Sequence, residues 1–128
     1  MKKAVPSHKE WLDLKDYLIA NGFNYDGTTE GNKIAKSLAS STWWIASTWV
    51  GSVGNFDYPE YRNKSGFFAL PGGYLWTDYD FHDVGSYSYW WALEDDQFEY
   101  SRWDMSRHDR DISSAAVMVK HIVFLFVV

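Results

Sequence analysis

Cysteine is missing altogether from this 128-residue chain. Its absence excludes disulfides, thiolate nucleophiles and thiolate metal sites, and leaves the redox compartment open. A basic excess is also missing: the formal net charge is −5 and no stripe of lysine or arginine occurs. Nucleic acid is therefore not an expected partner. Long apolar runs are scarce. The longest, 122–128 within "VMVKHIVFLFVV", is far below the ~18–20 residues a helix needs to cross a bilayer, so no transmembrane segment is expected. The opening "MKKAVPSHKE" has the two lysines of a signal n-region with no apolar stretch behind them, and is not expected to act as a signal peptide. The chain by itself gives no localisation.

What the chain has in excess is aromatic surface: 8 Trp, 9 Tyr and 8 Phe, 20% of all residues. Aromatics favour strands and each buries a large area, which points to a sheet-rich core or to stacking surfaces. With 46% hydrophobic and 23% charged residues the composition is globular. A chain of this length makes one domain. No internal repeat, linker or low-complexity tract divides it.

The strongest local signal is "PSHKEWLDLKDYLIANG". Ser7 and Glu10 have the spacing of a capping box, Trp11, Leu14 and Leu18 follow at helical period, and Asn21-Gly22 supplies a left-handed stop. This predicts an amphipathic helix over about residues 7–20. A weaker helix is expected in "NKIAKSLAS", through Ile34 and Leu38. The stretch from Ser41 to Gly66 is punctuated by Gly51, Gly54, Asn55, Pro59 and Asn63, and reads as a long loop. "FFALPGGYLW" reads as a strand broken at Pro71-Gly72-Gly73. "SYSYWWAL" and "FEYSRWDMS" read as adjacent strands, with "EDDQ" as the turn between them.

Three of these segments together carry a family resemblance. "VPSHKEW", "NKSGFFALPGGY" and "GSYSYWWA" resemble, in order, the helix start, the Gly-Phe-x-Ala-Leu-Pro-x-Gly-Tyr stretch and the Tyr-Trp-Trp-Ser strand of the Fibrobacter succinogenes major paralogous domain. The matches span about residues 5–103, and Ala92 replaces the family's serine. The resemblance implies an α+β, C-type-lectin-like fold with an N-terminal amphipathic helix, a long loop region and a small antiparallel sheet. It implies a bacterial secreted or cell-envelope setting and says little about activity. The family's domain begins before the Pro-Ser helix, so residues 1–128 are expected to be a single partial domain, the C-terminal portion of a longer one.

The same resemblance bears on the tail. Family members end on a strand close to Gly-Phe-Ser-Val-Arg-Cys, whereas this tail is almost wholly apolar. If each new codon starts on the third base of the preceding one, Met118–Val128 becomes, within codon degeneracy, Tyr-Gly-Lys-Ala-Tyr-Ser-Phe-Ser-Val-Arg-Cys. About 118–128 is accordingly expected to be out of frame. An authentic buried edge strand, which can also be continuously apolar, is the competing expectation. Either way, an apolar segment without its usual partner strand tends to self-associate.

The candidate site is "TDYDFHDVG". Asp78, Asp80, His82 and Asp83 lie close in sequence, but the offsets of a calcium-binding EF loop are absent. The Trp-Asn-Asp triplet of calcium-dependent lectins is absent too, so a solvated acidic turn is expected over a metal site. Trp90, Trp91 and Trp103 are expected in the core, and Trp76 and Tyr79 beside the polar turn are the better placed to reach solvent. The residues assigned to ligand contact are therefore Trp76, Tyr79, Asp80 and His82. "SRHDRDIS", with His108, is read as alternating charges in a turn. No nucleophile–base motif occurs, and the fold relative that performs chemistry, the formylglycine-generating enzyme, works through cysteines. The expectation is a non-catalytic surface or secreted binding and display module without metal or cofactor, whose partner is a glycan or a surface protein. The alternative is a truncated, frameshifted remnant with no binding function.

Overall fold

Ser7 Oγ accepts the Glu10 amide at 3.0 Å, and the Glu10 carboxylate accepts the Ser7 amide at 3.1 Å. This reciprocal cap starts helix α1, His8–Ala20, where the spacing places it. The helix ends at Asn21, with Gly22 at φ 79°. These features belong to a computed structural model that describes residues 5–93, 100–116 and 125–126.

Among the described residues, α1 is followed by the single turn α2 (Ala35–Leu38), a 3-10 turn (Pro59–Tyr61) and six strands. The strands are β1 (Tyr74–Leu75), β2 (Phe81–His82), β3 (Tyr87–Leu93), β4 (Tyr100–Ser106), β5 (Ser113–Ala116) and β6 (Leu125–Phe126). They form two three-stranded antiparallel sheets, ordered β2-β1-β6 and β3-β4-β5. The chain is thus α+β with one full helix and small antiparallel sheets. Among the described residues, no helix is long and apolar enough to cross a membrane.

The β3–β4 pair is the one the aromatic alternation predicts, with Trp90 opposite Trp103 and Ser88 opposite Met105. Trp90, Trp103 and Met105 are buried. Helix α1 joins this sheet edge through its apolar face. Trp11 packs 5.5 Å from Trp90, and its Nε1 donates to the Trp91 carbonyl at 3.2 Å. The Leu93 amide donates to the Pro6 carbonyl, which ties the helix start to the end of β3. Leu18, Ile34, Leu38, Val53 and Ile112 complete the core.

The long loop is held from within by buried polar side chains. Lys36 has 0% exposure, and its ammonium donates to the Asn55 carbonyl (2.5 Å), the Asp57 carbonyl (2.7 Å) and the Asp57 carboxylate (2.6 Å). Asn24, equally buried, donates from Nδ2 to the Glu30 and Gly31 carbonyls and accepts the Lys33 amide on Oδ1. Buried polar groups survive only when their hydrogen bonds are met, and here loop backbone supplies the partners.

Two sequence expectations need correction. "FFALPGGYLW" is not one interrupted strand: Ala69 makes an isolated bridge to Ala39, Phe68 sits at φ 59°, and pairing begins only at Tyr74. The helix expected through Ile34 shrinks to α2, and all four of its residues are buried. "TDYDFHDVG", expected as a solvated acidic turn, is the exposed tip and return strand of a hairpin, in which Leu75 pairs with Phe81 and Tyr74 with His82. The expected "EDDQ" turn lies outside the described residues. So does most of the tail expected to be out of frame, where Leu125 and Phe126 alone are described, pairing with Leu75 and Tyr74.

Candidate binding site

The four residues singled out by sequence lie on the β1–β2 hairpin, where they play different parts. Tyr79 is 88% exposed at φ 64°, and Asp80 beside it is exposed. Trp76 is half-buried, its ring 6.0 Å from Tyr74 and its amide donating to the Asp80 carbonyl. The His82 ring stacks on Tyr74 at 5.3 Å, and its Nε2 lies 3.1 Å from the Asp78 carboxylate. The Asp80 amide, ahead of the opposing effect of burial, and then the His82 ring hold the Asp78 carboxyl below its ordinary range. The hairpin tip is therefore organised by its own hydrogen bonds. Tyr79 and Asp80 face solvent there, while Trp76 and His82 pack on Tyr74.

A second site joins segments that are distant in sequence. The Val53 amide donates to the Asp109 carbonyl (2.9 Å), Gly54 to Arg107 (2.7 Å) and Ala35 to Arg110 (3.0 Å). Arg110 Nε donates to the Val50 carbonyl at 2.6 Å. These bonds lay the loop around Trp49 against the 107–111 turn. Between them opens a pocket of about 620 Å³, lined by Tyr25, Asn32, Lys33 and Trp49 and by His108, Asp109, Arg110 and Asp111.

Trp49 is 59% exposed, with its ring 5.3 Å from that of His108. Tyr25 lies against Gly51: a Cβ built on that glycine, at φ 76°, would fall 2.4 Å from the Tyr25 Cζ. Asn32 is fixed by exchanging two hydrogen bonds with the Ile112 backbone. The Lys33 ammonium is engaged by Asp26 at 2.8 Å. That hydrogen bond, with the Thr28 hydroxyl, lowers the Asp26 carboxyl to about 2.

The remaining charges are less committed. Asp109 accepts the Ser106 amide at 2.7 Å. Asp111 has no side-chain partner, and Arg110 makes no ion pair, among the described residues. Partial desolvation first, and the neighbouring Asp109 second, raise the Asp111 carboxyl. A stackable ring beside carboxylates and a guanidinium that have no ion-pair partner among the described residues suits a ligand with one apolar face and several hydrogen-bonding groups.

A serine–histidine contact lies beside the pocket. Ser47 Oγ and His108 Nδ1 are 2.8 Å apart, but Ser47 Oγ also accepts the Trp49 amide at 3.2 Å. Among the described residues no carboxylate bonds to His108, so the third member that orients a catalytic imidazole is not found there. The pair closes the Trp49 loop onto the 107–111 turn. Sequence reasoning singled out His108 and Asp109 as a charged turn and missed Trp49 and Tyr25. The signal available was "STWVGSVG", a tryptophan followed closely by two glycines in a polar loop.

No family model, no curated protein and no solved structure matches this chain.

Proposed function

We propose that the protein is a non-catalytic binding and display module that contacts glycans through the Trp49 pocket, with Tyr79 and Asp80 on the hairpin as a secondary contact. The observation that carries this is the 59% exposed indole of Trp49, set over a pocket whose Asp111 and Arg110 groups lack ion-pair partners among the described residues. An aromatic face stacks on the apolar face of a pyranose, and planar carboxylate and guanidinium groups satisfy its hydroxyls. The resemblance to the Fibrobacter succinogenes domain supports a C-type-lectin-like architecture and a secreted or cell-envelope setting for such a module.

The test is a glycan array probed with the 128-residue chain and with Trp49→Ala and Tyr79→Ala. Retention of glycans that Trp49→Ala abolishes supports the proposal. Retention lost only in Tyr79→Ala moves the site to the hairpin, and a blank array for the folded chain overturns the glycan reading.

A further inference from the structure

Resting on the glycan reading of the Trp49 pocket, we infer that its ligand class is the cationic sugars: amino sugars whose ammonium group is received by Asp111 and Asp109 while the ring lies on Trp49. The argument is a balance of charge. Of the cations lining the pocket, the Lys33 ammonium is held by Asp26 at 2.8 Å and is engaged within the protein. Arg110 is anchored through Nε to the Val50 carbonyl and forms no ion pair with either Asp109 or Asp111 among the described residues. Two carboxylates therefore stand against one guanidinium, beside His108.

The two carboxylates also act on each other. Asp111, which is exposed, is raised by partial desolvation first and by Asp109 second, its own backbone amide opposing both. A ligand ammonium in the pocket they line would offset that repulsion, whereas a uronate would add to it. A neutral sugar would gain the stacking and some hydrogen bonds, but no charge-assisted one. Asn32 adds little discrimination, because both ends of its amide are taken by the Ile112 backbone.

The experiment titrates the full chain, by calorimetry and Trp fluorescence, with three probes: a fully deacetylated glucosamine tetramer, its N-acetylated counterpart and a galacturonate tetramer. The deacetylated tetramer is expected to bind at least about tenfold more tightly than the acetylated one, and the uronate most weakly. Asp111→Asn is expected to remove about tenfold from the deacetylated tetramer and to leave the acetylated one within about twofold. Asp16→Asn makes the same charge change at an exposed helix position and is expected to have no effect. Trp49→Ala is expected to weaken both glucosamine tetramers, because it removes the stacking face.

Equal binding of the two glucosamine tetramers overturns the cationic preference and leaves the glycan reading standing. Tighter binding of the uronate overturns it in favour of Arg110 as the anchor. If Asp16→Asn reproduces the effect, the preference is only the net charge of −5, and the assignment to this pocket falls. Failure of all three saccharides to bind, together with a blank array, removes the glycan reading as well.

Discussion

Lys36 and Asp57 are joined at 2.6 Å across the base of the long loop, the lysine wholly buried and the aspartate only partly so. The same Asp57 carboxylate accepts the Gly51 amide on its other oxygen at 2.8 Å. One pair thus connects α2 to the glycine on which Tyr25 rests. Removing one partner of a buried ion pair strands the other. Lys36→Met is therefore expected to destabilise the fold by about 3–5 kcal/mol, read as a fall in the denaturation midpoint. Asp57→Asn keeps an acceptor for the ammonium and is expected to cost less. Equal losses would show that the carboxylate charge, and not the donors of Lys36, governs the loop.

The capping box gives a smaller, local prediction. Ser7→Ala deletes the acceptor for the Glu10 amide and is expected to cost about 0.5–2 kcal/mol. Urea denaturation followed by circular dichroism measures it. A change below a few tenths of a kcal/mol would mean that Trp11 packing alone fixes the helix start.

Gly51→Ala tests the pocket wall. At φ 76° a side chain is strained, and its Cβ would meet the Tyr25 ring. A cost of at least about 1–2 kcal/mol is expected from the left-handed conformation alone, with displacement of Tyr25 added. The melting temperature and the chemical shifts of the Tyr25 ring report the two effects separately.

Trp49→Ala should behave in the opposite way. The side chain is largely exposed, so stability is expected to stay within about 0.5 kcal/mol while glycan retention is lost. A large drop in melting temperature would identify Trp49 as a packing residue.

For Asp26 the prediction concerns pH. Its carboxyl titrates at about 2 in the folded protein, against 3.8 in the unfolded chain. A depressed carboxyl contributes stability above the unfolded value and loses it as pH falls through the folded one. The contribution of the Asp26–Lys33 pair is therefore expected to be full above about pH 4 and to fade towards pH 2. The pair is partly exposed, so the effect is small. Lys33→Met is expected to move the Asp26 carbon-13 titration midpoint upward. An unmoved midpoint would assign the shift to Thr28.

The elements legible in the sequence are those written in local code. Ser7, Glu10 and the Trp11–Leu14–Leu18 spacing specify α1 within a few residues, and the aromatic alternation of 87–93 and 100–106 gives the central strand pair. The hairpin at 74–82 was harder to see, because its strands are two residues each and their pairing is set by the register of Tyr74 and His82. The pocket was not legible at all. Its two halves meet in large part through backbone amides and carbonyls, which every residue carries, so nothing in the side chains of Val53 or Asp109 announces their partnership. Lys36 was similarly opaque, since lysine on a helical stretch ordinarily marks a solvated face.

The contact between Ser47 and His108 spans 61 positions of sequence. Bringing such distant segments together carries an entropic cost that short-range elements such as α1 avoid. Helix α1 can therefore form during synthesis long before Arg110 leaves the ribosome, whereas the pocket has no existence until it does. A nascent chain stopped within the 94–99 segment would lack both β4, the pairing partner of β3, and the 107–111 half of the pocket. In kinetic terms, closure of the Trp49 pocket is the late event of this fold, and whatever the pocket does must wait for it.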